Sequence, residues 1–197
     1  RNEALDLALG TSDYILFMDA DDTLEYTPAF ALPPLNEGVY QIWQGTRSYS
    51  YLRPRLINAS LPWKWEGVLH EYLTCNAFYT AAILENVKYM NGGGGARSQD
   101  PEKYLKDARV LENALKTEPN NSRYVFYLGQ SYHDADEKGK ALEWYQKRVK
   151  MGGWAEEVYW SKMRIASLIS AMGLSSDLVI SSYISAFHFR PHRAEAP

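Results

Sequence analysis

The sequence has 197 residues, of which 46% are hydrophobic and 23% charged, with a formal net charge of −3. This is the composition of a folded globular protein with one large or two small domains, and the negative charge argues against nucleic acid as the main partner. No apolar stretch reaches the roughly 20 residues that a membrane-spanning helix needs. The single cysteine, Cys75, cannot form an internal disulfide, so a cytoplasmic location is the expectation.

A short helix and a buried strand are predicted at the start of the chain. Residues 2–9 have the apolar spacing of an amphipathic helix, and Gly10 suits the position that follows it. Residues 14–18 form a continuous apolar run, which is typical of a strand covered on both faces in an α/β sheet. The run ends abruptly in an acidic segment at residues 19–22.

Strand patterns dominate the next part of the chain. Residues 39–43 and 49–57 are rich in aromatic and β-branched residues, and the short polar segment between them predicts a hairpin. Residues 62–67 read as an aromatic loop that leads to a strand-like stretch at 68–73. Another strand is predicted at residues 82–89.

A glycine run at residues 91–95 separates the strand region from a helical region. It lacks the Gly-Lys-Ser/Thr ending of a phosphate-binding loop, so we interpret it as a linker. The predicted domains are therefore residues 1–95 and residues 96–197.

The second domain is predicted to be all helical. Asp100 suits a helix cap, Pro101 suits the first helical turn, and that helix should end before Pro119. Part of the pattern recurs 33 residues later along the sequence, which indicates repeated helix pairs. Five residues fall at the spacings where a tetratricopeptide repeat keeps its packing residues: Leu128, Gly129, Tyr132, Ala141 and Tyr145.

The acidic segment is the first candidate for chemistry. Asp19, Asp21 and Asp22 follow the predicted buried strand, at the edge where open α/β sheets bind ligands. Clustered carboxylates repel one another unless a cation is bound, and Mg²⁺ or Mn²⁺ prefers such oxygen ligands. The alternative is ordinary turn and capping chemistry by Asp22 and Thr23.

Two families share this segment. Residues 1–2 and 14–22 resemble the middle of family 2 glycosyltransferases, whose GT-A fold has an Asp-x-Asp metal motif there. Residues 19–24 also fit the first motif of haloacid-dehalogenase-like phosphatases, Asp-x-Asp-Asp-Thr-Leu. That family completes its metal site with a later Gly-Asp-x-x-x-Asp arrangement, which we do not find. The glycosyltransferase is the better fit, and the phosphatase is the lesser alternative.

A second segment strengthens the resemblance. Residues 65–73 resemble the Trp-x-Gly-x-x-His-Glu segment of a bacterial and viral subset of those enzymes, which is joined to tetratricopeptide helices. Residues 123–128 and 151–157 look like the same subset. The implied fold is α/β followed by all-α, with a partial GT-A-type sheet and tetratricopeptide-like helical hairpins.

The resemblance implies an inverting transfer from a nucleotide-sugar, in which Mn²⁺ or Mg²⁺ neutralises the leaving diphosphate and a carboxylate deprotonates an unknown acceptor. Glu71 is the candidate base, and Asp21 is the main candidate metal ligand. His70 is a candidate for the metal or the diphosphate, although many relatives have another histidine that residues 87–90 lack. The candidates for the nucleotide-sugar are Arg1, Asp19, which is also a candidate for the metal, and Trp65, for which core packing is an equal alternative.

The first half of the implied GT-A fold would precede Arg1. The chain is therefore expected to be a fragment of a glycosyltransferase that is inactive alone, with residues 14–18 at an exposed sheet edge through which copies associate. The rival hypothesis is a peptide-binding module of helical repeats without catalysis, whose partner is a protein.

Overall fold

The computed structural model describes residues 1–46, 48–93, 95, 99–193 and 195. The chain divides into two compact units, residues 1–100 and residues 101–197. One short helix and the strands lie in the first unit, and the longer helices lie in the second. The predicted order, α/β followed by all-α, is confirmed.

The first unit is built on a mixed sheet. Its elements are helix α1 (Asn2–Ala8) and strands β1 (Tyr14–Leu16), β2 (Thr23–Tyr26), β3 (Val39–Gly45), β4 (Ser50–Asn58), β5 (Trp63–Glu66), β6 (Tyr72–Cys75) and β7 (Ala81–Met90). Five strands form one sheet in the order β1-β4-β3-β7-β2, and β5 pairs with β6 in a separate hairpin. In the larger sheet β3 and β7 are parallel, and the other neighbouring strands are antiparallel.

Several predicted elements are confirmed. Helix α1 ends before Gly10, which has a positive φ of 78°. Strands β3 and β4 form the predicted hairpin, and β7 contains the strand predicted at residues 82–89. These elements have clear local periodicity, so their type can be assigned without knowledge of their partners.

The region around residues 62–73 differs from the prediction. Residues 63–66, predicted as loop, form strand β5, and the strand predicted at 68–73 begins only at Tyr72. The backbone turns instead at Gly67 and His70, whose φ angles are 102° and 51°. A left-handed backbone at a histidine cannot continue a strand, so the two short strands fold back on each other as a hairpin.

Strand β1 was predicted to be covered on both faces, and this is wrong. It is three residues long and antiparallel to β4, and Leu16 and Met18 are 41% and 47% exposed. On one face Ile15 packs with Leu5 of α1, whereas on the other face Tyr14 is only partly buried and Leu16 is exposed. Its position at the sheet edge confirms the predicted edge strand, and association of copies through that edge stays a prediction.

Five α-helices lie in the described part of the second unit: α2 (Lys103–Thr117), α3 (Ser122–Asp134), α4 (Lys138–Met151), α5 (Ala155–Ala171) and α6 (Ser176–Phe189). Each packs on the next along the chain, and the short connections make neighbours antiparallel hairpins. Helix α2 begins two residues after Pro101, and its N-cap residue is Glu102 instead of the predicted Asp100. No helix among the described residues is long and apolar enough to cross a membrane.

Gly129 lies where α3 and α4 come closest. A Cβ atom added at Gly129 would lie 3.1 Å from a ring carbon of Tyr145, a side chain that is only 1% exposed. The sequence prediction of a small packing residue at this position agrees with this contact.

We expect Gly129→Ala to be less stable than the matched variant Gly139→Ala by about 1–3 kcal/mol in the free energy of unfolding. Both substitutions lie in helices, but Gly139 is the second residue of α4, so the gain in helix propensity is larger at Gly129 and works against the loss expected there. Only Gly129 faces a buried ring, because nothing lies within 4 Å of the Cβ position at Gly139. Urea unfolding followed by circular dichroism measures the difference, and equal stabilities would contradict this packing.

Candidate functional site

The acidic loop, defined as residues 19–22, follows β1 in the first unit. Asp19 and Asp22 are partly buried, whereas Asp21 is exposed. The loop is a turn closed by a hydrogen bond from the Asp22 N–H to the Asp19 carbonyl, at 3.1 Å. The structure therefore has the carboxylates where the sequence predicted them, just beyond the end of the strand.

Arg1 gathers three of the predicted site residues. Its Nη2 lies 3.1 Å from Asp19 Oδ1, and its Nε lies 3.8 Å from Glu71 Oε2. Its guanidinium carbon also lies 4.9 Å from the ring centroid of Trp65. One cation thus joins the acidic loop to the β5–β6 hairpin, although each ion pair is about a third or more exposed and contributes little stability by itself.

The β5–β6 hairpin is fixed beside the acidic loop by two further contacts. The Asn2 side chain accepts from the Trp65 N–H at 2.8 Å and donates to the Trp65 carbonyl at 3.0 Å. The Trp65 ring packs edge-on against Phe17, with centroids 5.0 Å apart. Asn2 therefore sets the position of the segment that bears His70 and Glu71.

The segment after β7 also contacts the acidic loop. Asp22 Oδ1 accepts from the Gly92 N–H at 2.6 Å, and Asp21 Oδ2 accepts from the Gly95 N–H at 3.1 Å. A Cβ atom at Gly92 would lie 2.0 Å from the Asp21 carbonyl oxygen, so only glycine fits this approach. The predicted linker at residues 91–95, of which Gly94 lies outside the described residues, is thus part of the site's framework.

Below the loop lies Tyr89, which is fully buried. Its hydroxyl accepts from the Asp19 N–H at 2.8 Å. Burial, followed by interaction with the Asp22 side chain, raises the pKa of Tyr89 to about 12. Burial likewise lowers the pKa of the Arg55 guanidinium, whose Cζ lies 3.6 Å from the Tyr89 ring centroid.

Among the described residues no group of three His, Cys, Asp or Glu side chains is arranged to hold a metal ion. Asp19, Asp21 and His70 are therefore not gathered into one ligand set, and the exposed His70 lies in the turn of the β5–β6 hairpin. Their roles toward a metal stay predictions.

An open cleft of about 1170 Å³ lies at the other end of β1. Thr11, Asp13 and Asn58 are among its lining residues, and none of the predicted site residues is. The volume of this cleft alone does not make it the candidate site, because the acidic loop, Arg1 and Trp65 are not among its lining residues.

Three comparisons with known proteins bear on this site. No family model matches the chain. The chain is similar to the SPbeta prophage-derived glycosyltransferase SunS of Bacillus subtilis (strain 168) and to the glycosyltransferase SunS of Bacillus phage SPbeta. Each is 23% identical over 168 residues, covering 76% of this chain. The aligned part is 38% of the length of these relatives, so the chain spans well under half of them.

Among solved structures, MamA is similar to 49% of this chain and 75% of its own, with 16% identity and a TM-score of 0.27. The similarity to the two glycosyltransferases is distant, and it supports a glycosyltransferase-like role at most.

Sequence reasoning missed the residues that support the acidic loop. In the sequence, Tyr89 and Arg55 look like ordinary strand residues. The charge of Arg55 inside a strand was the one signal that could have indicated a buried polar partner. Gly92 was interpreted as linker because its partner, Asp22, lies 70 residues earlier.

Proposed function

We propose that the first unit belongs to a glycosyltransferase, in which it holds the diphosphate of a nucleotide-sugar donor and activates the acceptor. The observation that supports this most is the position of Arg1, whose guanidinium joins the carboxylates of Asp19 and Glu71 beside the Trp65 ring. The distant similarity to two glycosyltransferases is consistent with it. Donor, acceptor and metal dependence are all parts of the proposal.

Asp21 is the proposed main ligand of Mn²⁺ or Mg²⁺. It is exposed, whereas Asp19 is already paired with Arg1 and is the proposed second ligand or nucleotide contact. These ions commonly combine one or two carboxylates with substrate phosphates and water, so the residues fit a metal–diphosphate complex better than a bare ion. When bound, such an ion neutralises the charge of the leaving diphosphate. His70 is proposed to contact the diphosphate or the metal.

Glu71 is the proposed base. Its carboxylate, 34% exposed, takes the proton of the acceptor's nucleophile, which forms a bond to the anomeric carbon as the bond to the diphosphate breaks with inversion. Arg1 orients this carboxylate relative to Asp19, and Trp65 supplies an apolar floor for the sugar or acceptor. The contacts around Arg1 support these proposed roles.

The helical unit is proposed to bind the acceptor or a protein partner through tetratricopeptide-like hairpins. Helix α6 exposes several large apolar side chains, among them Leu178 at 51%, Ile180 at 56% and Ile184 at 44%. This exposure favours the second candidate function, a peptide-binding module without catalysis. Absence of any metal or diphosphate binding by the first unit would favour that alternative.

We expect Asp21→Asn to weaken Mn²⁺ binding on the order of tenfold or more, and Asp22→Asn to weaken it less. The reason is that Asp22 is partly buried and accepts a short hydrogen bond of 2.6 Å from the Gly92 N–H, whereas Asp21 is exposed and its bond from the Gly95 N–H is longer, at 3.1 Å. Asp22→Asn should instead lower the thermal stability, because it weakens a charge-assisted hydrogen bond to the Gly92 N–H. Calorimetry with Mn²⁺, alone and with inorganic pyrophosphate, measures the first effect. Equal affinities of the two variants would contradict the assignment of Asp21.

A further inference from the structure

We propose that Tyr89 is the positioning residue of the acidic loop, and that a polar ring of side chains, made of the buried Arg55 and Gln44 and the partly buried Asn91, supports the loop from inside the sheet. The inference deepens the proposed function, on which it rests for the loop's role toward a metal. The ring is defined by contacts that run from β4 through β3 to the end of β7 and back to the loop.

Tyr89 lies beneath both ends of the acidic loop. Its hydroxyl accepts from the Asp19 N–H at 2.8 Å, and the Asp22 carboxylate is among the groups that act on it. One buried oxygen therefore fixes the backbone at the first residue of the loop. Asp21, inside the loop, stays exposed, and its carboxylate accepts from the Gly95 N–H at 3.1 Å.

Arg55 fixes the chain just before the loop. The Arg55 carbonyl accepts from the Phe17 N–H at 2.8 Å, and the Arg55 Nη1 donates to the Phe17 carbonyl at 3.3 Å. Arg55 thus holds both the N–H and the carbonyl of Phe17, and Phe17 lies two positions before Asp19. Pairing of β3 with β4 passes from Tyr40–Leu56 to Gln41–Pro54, which leaves Arg55 as the extra residue of a β-bulge. Bulges commonly redirect a side chain in this way next to functional sites.

The ring closes through amide side chains. Arg55 Nε and Nη2 both donate to Gln44 Oε1, at 3.0 and 2.6 Å, and Gln44 Nε2 donates to Asn91 Oδ1 at 2.7 Å. The next residue, Gly92, donates its N–H to Asp22. The series of contacts therefore returns to the acidic loop from the other side.

The charge of Arg55 supports a role beyond packing. Arg55 is only 5% exposed, and the hydrogen bonds described for its guanidinium go to the neutral oxygens of Gln44 and Phe17. A buried cation is costly unless its field is compensated, and the carboxylates of Asp19 and Asp22 are among the groups that favour its charged form. The positive charge of Arg55 offsets part of the repulsion between the closely spaced carboxylates of Asp19 and Asp22.

The test compares Tyr89→Phe with Tyr40→Phe. Tyr40 is a matched control because it is equally buried in the same core, and its hydroxyl contacts Asn36 and Glu37 instead of the acidic loop. We expect Tyr89→Phe to speed amide hydrogen exchange at Asp19 about tenfold, through loss of one hydrogen bond, and Tyr40→Phe to leave it unchanged. Nuclear magnetic resonance measures exchange at single amides. Asn91→Ala is a second variant, expected to speed exchange at Gly92.

The second readout is Mn²⁺ affinity with inorganic pyrophosphate, expected to fall about tenfold in Tyr89→Phe and less than about twofold in Tyr40→Phe. Unchanged exchange at Asp19 in Tyr89→Phe overturns the positioning role. Faster exchange with unchanged Mn²⁺ affinity also overturns it, because the loop's order would then be irrelevant to the metal. Failure of the unsubstituted chain to bind Mn²⁺ at all overturns the proposed metal site, and the exchange data then decide the positioning role separately.

Discussion

Replacing Arg148 by methionine is expected to lower the free energy of unfolding of the helical unit by about 3–5 kcal/mol. Arg148 is fully buried, and its Nε and Nη2 lie 3.1 and 3.0 Å from Glu157 Oε2. Its Nη1 donates to the Gly152 carbonyl at 2.5 Å. Removal of the cation leaves the Glu157 carboxylate, which is 5% exposed, without its closest partner.

The control is the double variant Arg148→Met, Glu157→Leu. Because replacing both members of a buried ion pair by apolar residues is often neutral or stabilising, the double variant should recover most of the loss. Arg123, whose Nη1 is 3.9 Å from Glu157 Oε1, is 27% exposed and can turn to solvent. Urea unfolding of the unsubstituted chain, the single variant and the double variant measures these changes in the free energy of unfolding. A loss below about 1 kcal/mol in the single variant would show that water or another cation reaches Glu157.

This ion pair lies in a segment that the sequence analysis matched to a motif. Residues 151–157 resemble a segment of the glycosyltransferase subset, and in the structure they comprise the end of α4, the connection at residues 152–154 and the start of α5. Gly152 has a positive φ of 64°, and its carbonyl accepts from Arg148. Gly152 and Glu157 of this segment thus have roles in helix packing.

The second large effect is expected for the proposed base. In an active enzyme that contains this chain, Glu71→Gln should lower kcat about 100- to 10,000-fold, with a much smaller change in KM. Glutamine keeps the shape of the side chain and its place beside Arg1, but it cannot accept a proton from the acceptor. The loss is then specific to the transition state, which is why kcat falls and substrate binding does not.

Glu66→Gln is the matched control. Glu66 lies in the same β5–β6 hairpin, and its Oε2 accepts from the Tyr72 hydroxyl at 3.1 Å, away from Arg1. We expect its kcat to stay within about threefold of the unsubstituted enzyme. Initial rates over a range of donor concentrations separate kcat from KM. Unchanged turnover in Glu71→Gln would assign the base to another carboxylate.

Much of the fold could be predicted from local pattern. Helix α1, the β3–β4 hairpin, β7 and the helical character of the second unit all have a period that one segment reveals by itself. The place of the acidic loop at the end of β1 could also be predicted, because a change from apolar to acidic residues is visible in a few positions. The helix start at Lys103 was less predictable, since helix ends depend on a few weak contacts.

The tertiary structure alone decided how the site is assembled. Asn2 with Trp65, and Asp22 with Gly92, are pairs separated by 63 and 70 residues. A hydrogen bond between such distant residues leaves no periodic signal in either segment. The left-handed backbone at His70 is likewise set by the hairpin around it, because nothing in a histidine's chemistry requires it. The sequence by itself therefore determined which elements form and where the acidic residues lie, whereas long-range pairing determined which residues surround them.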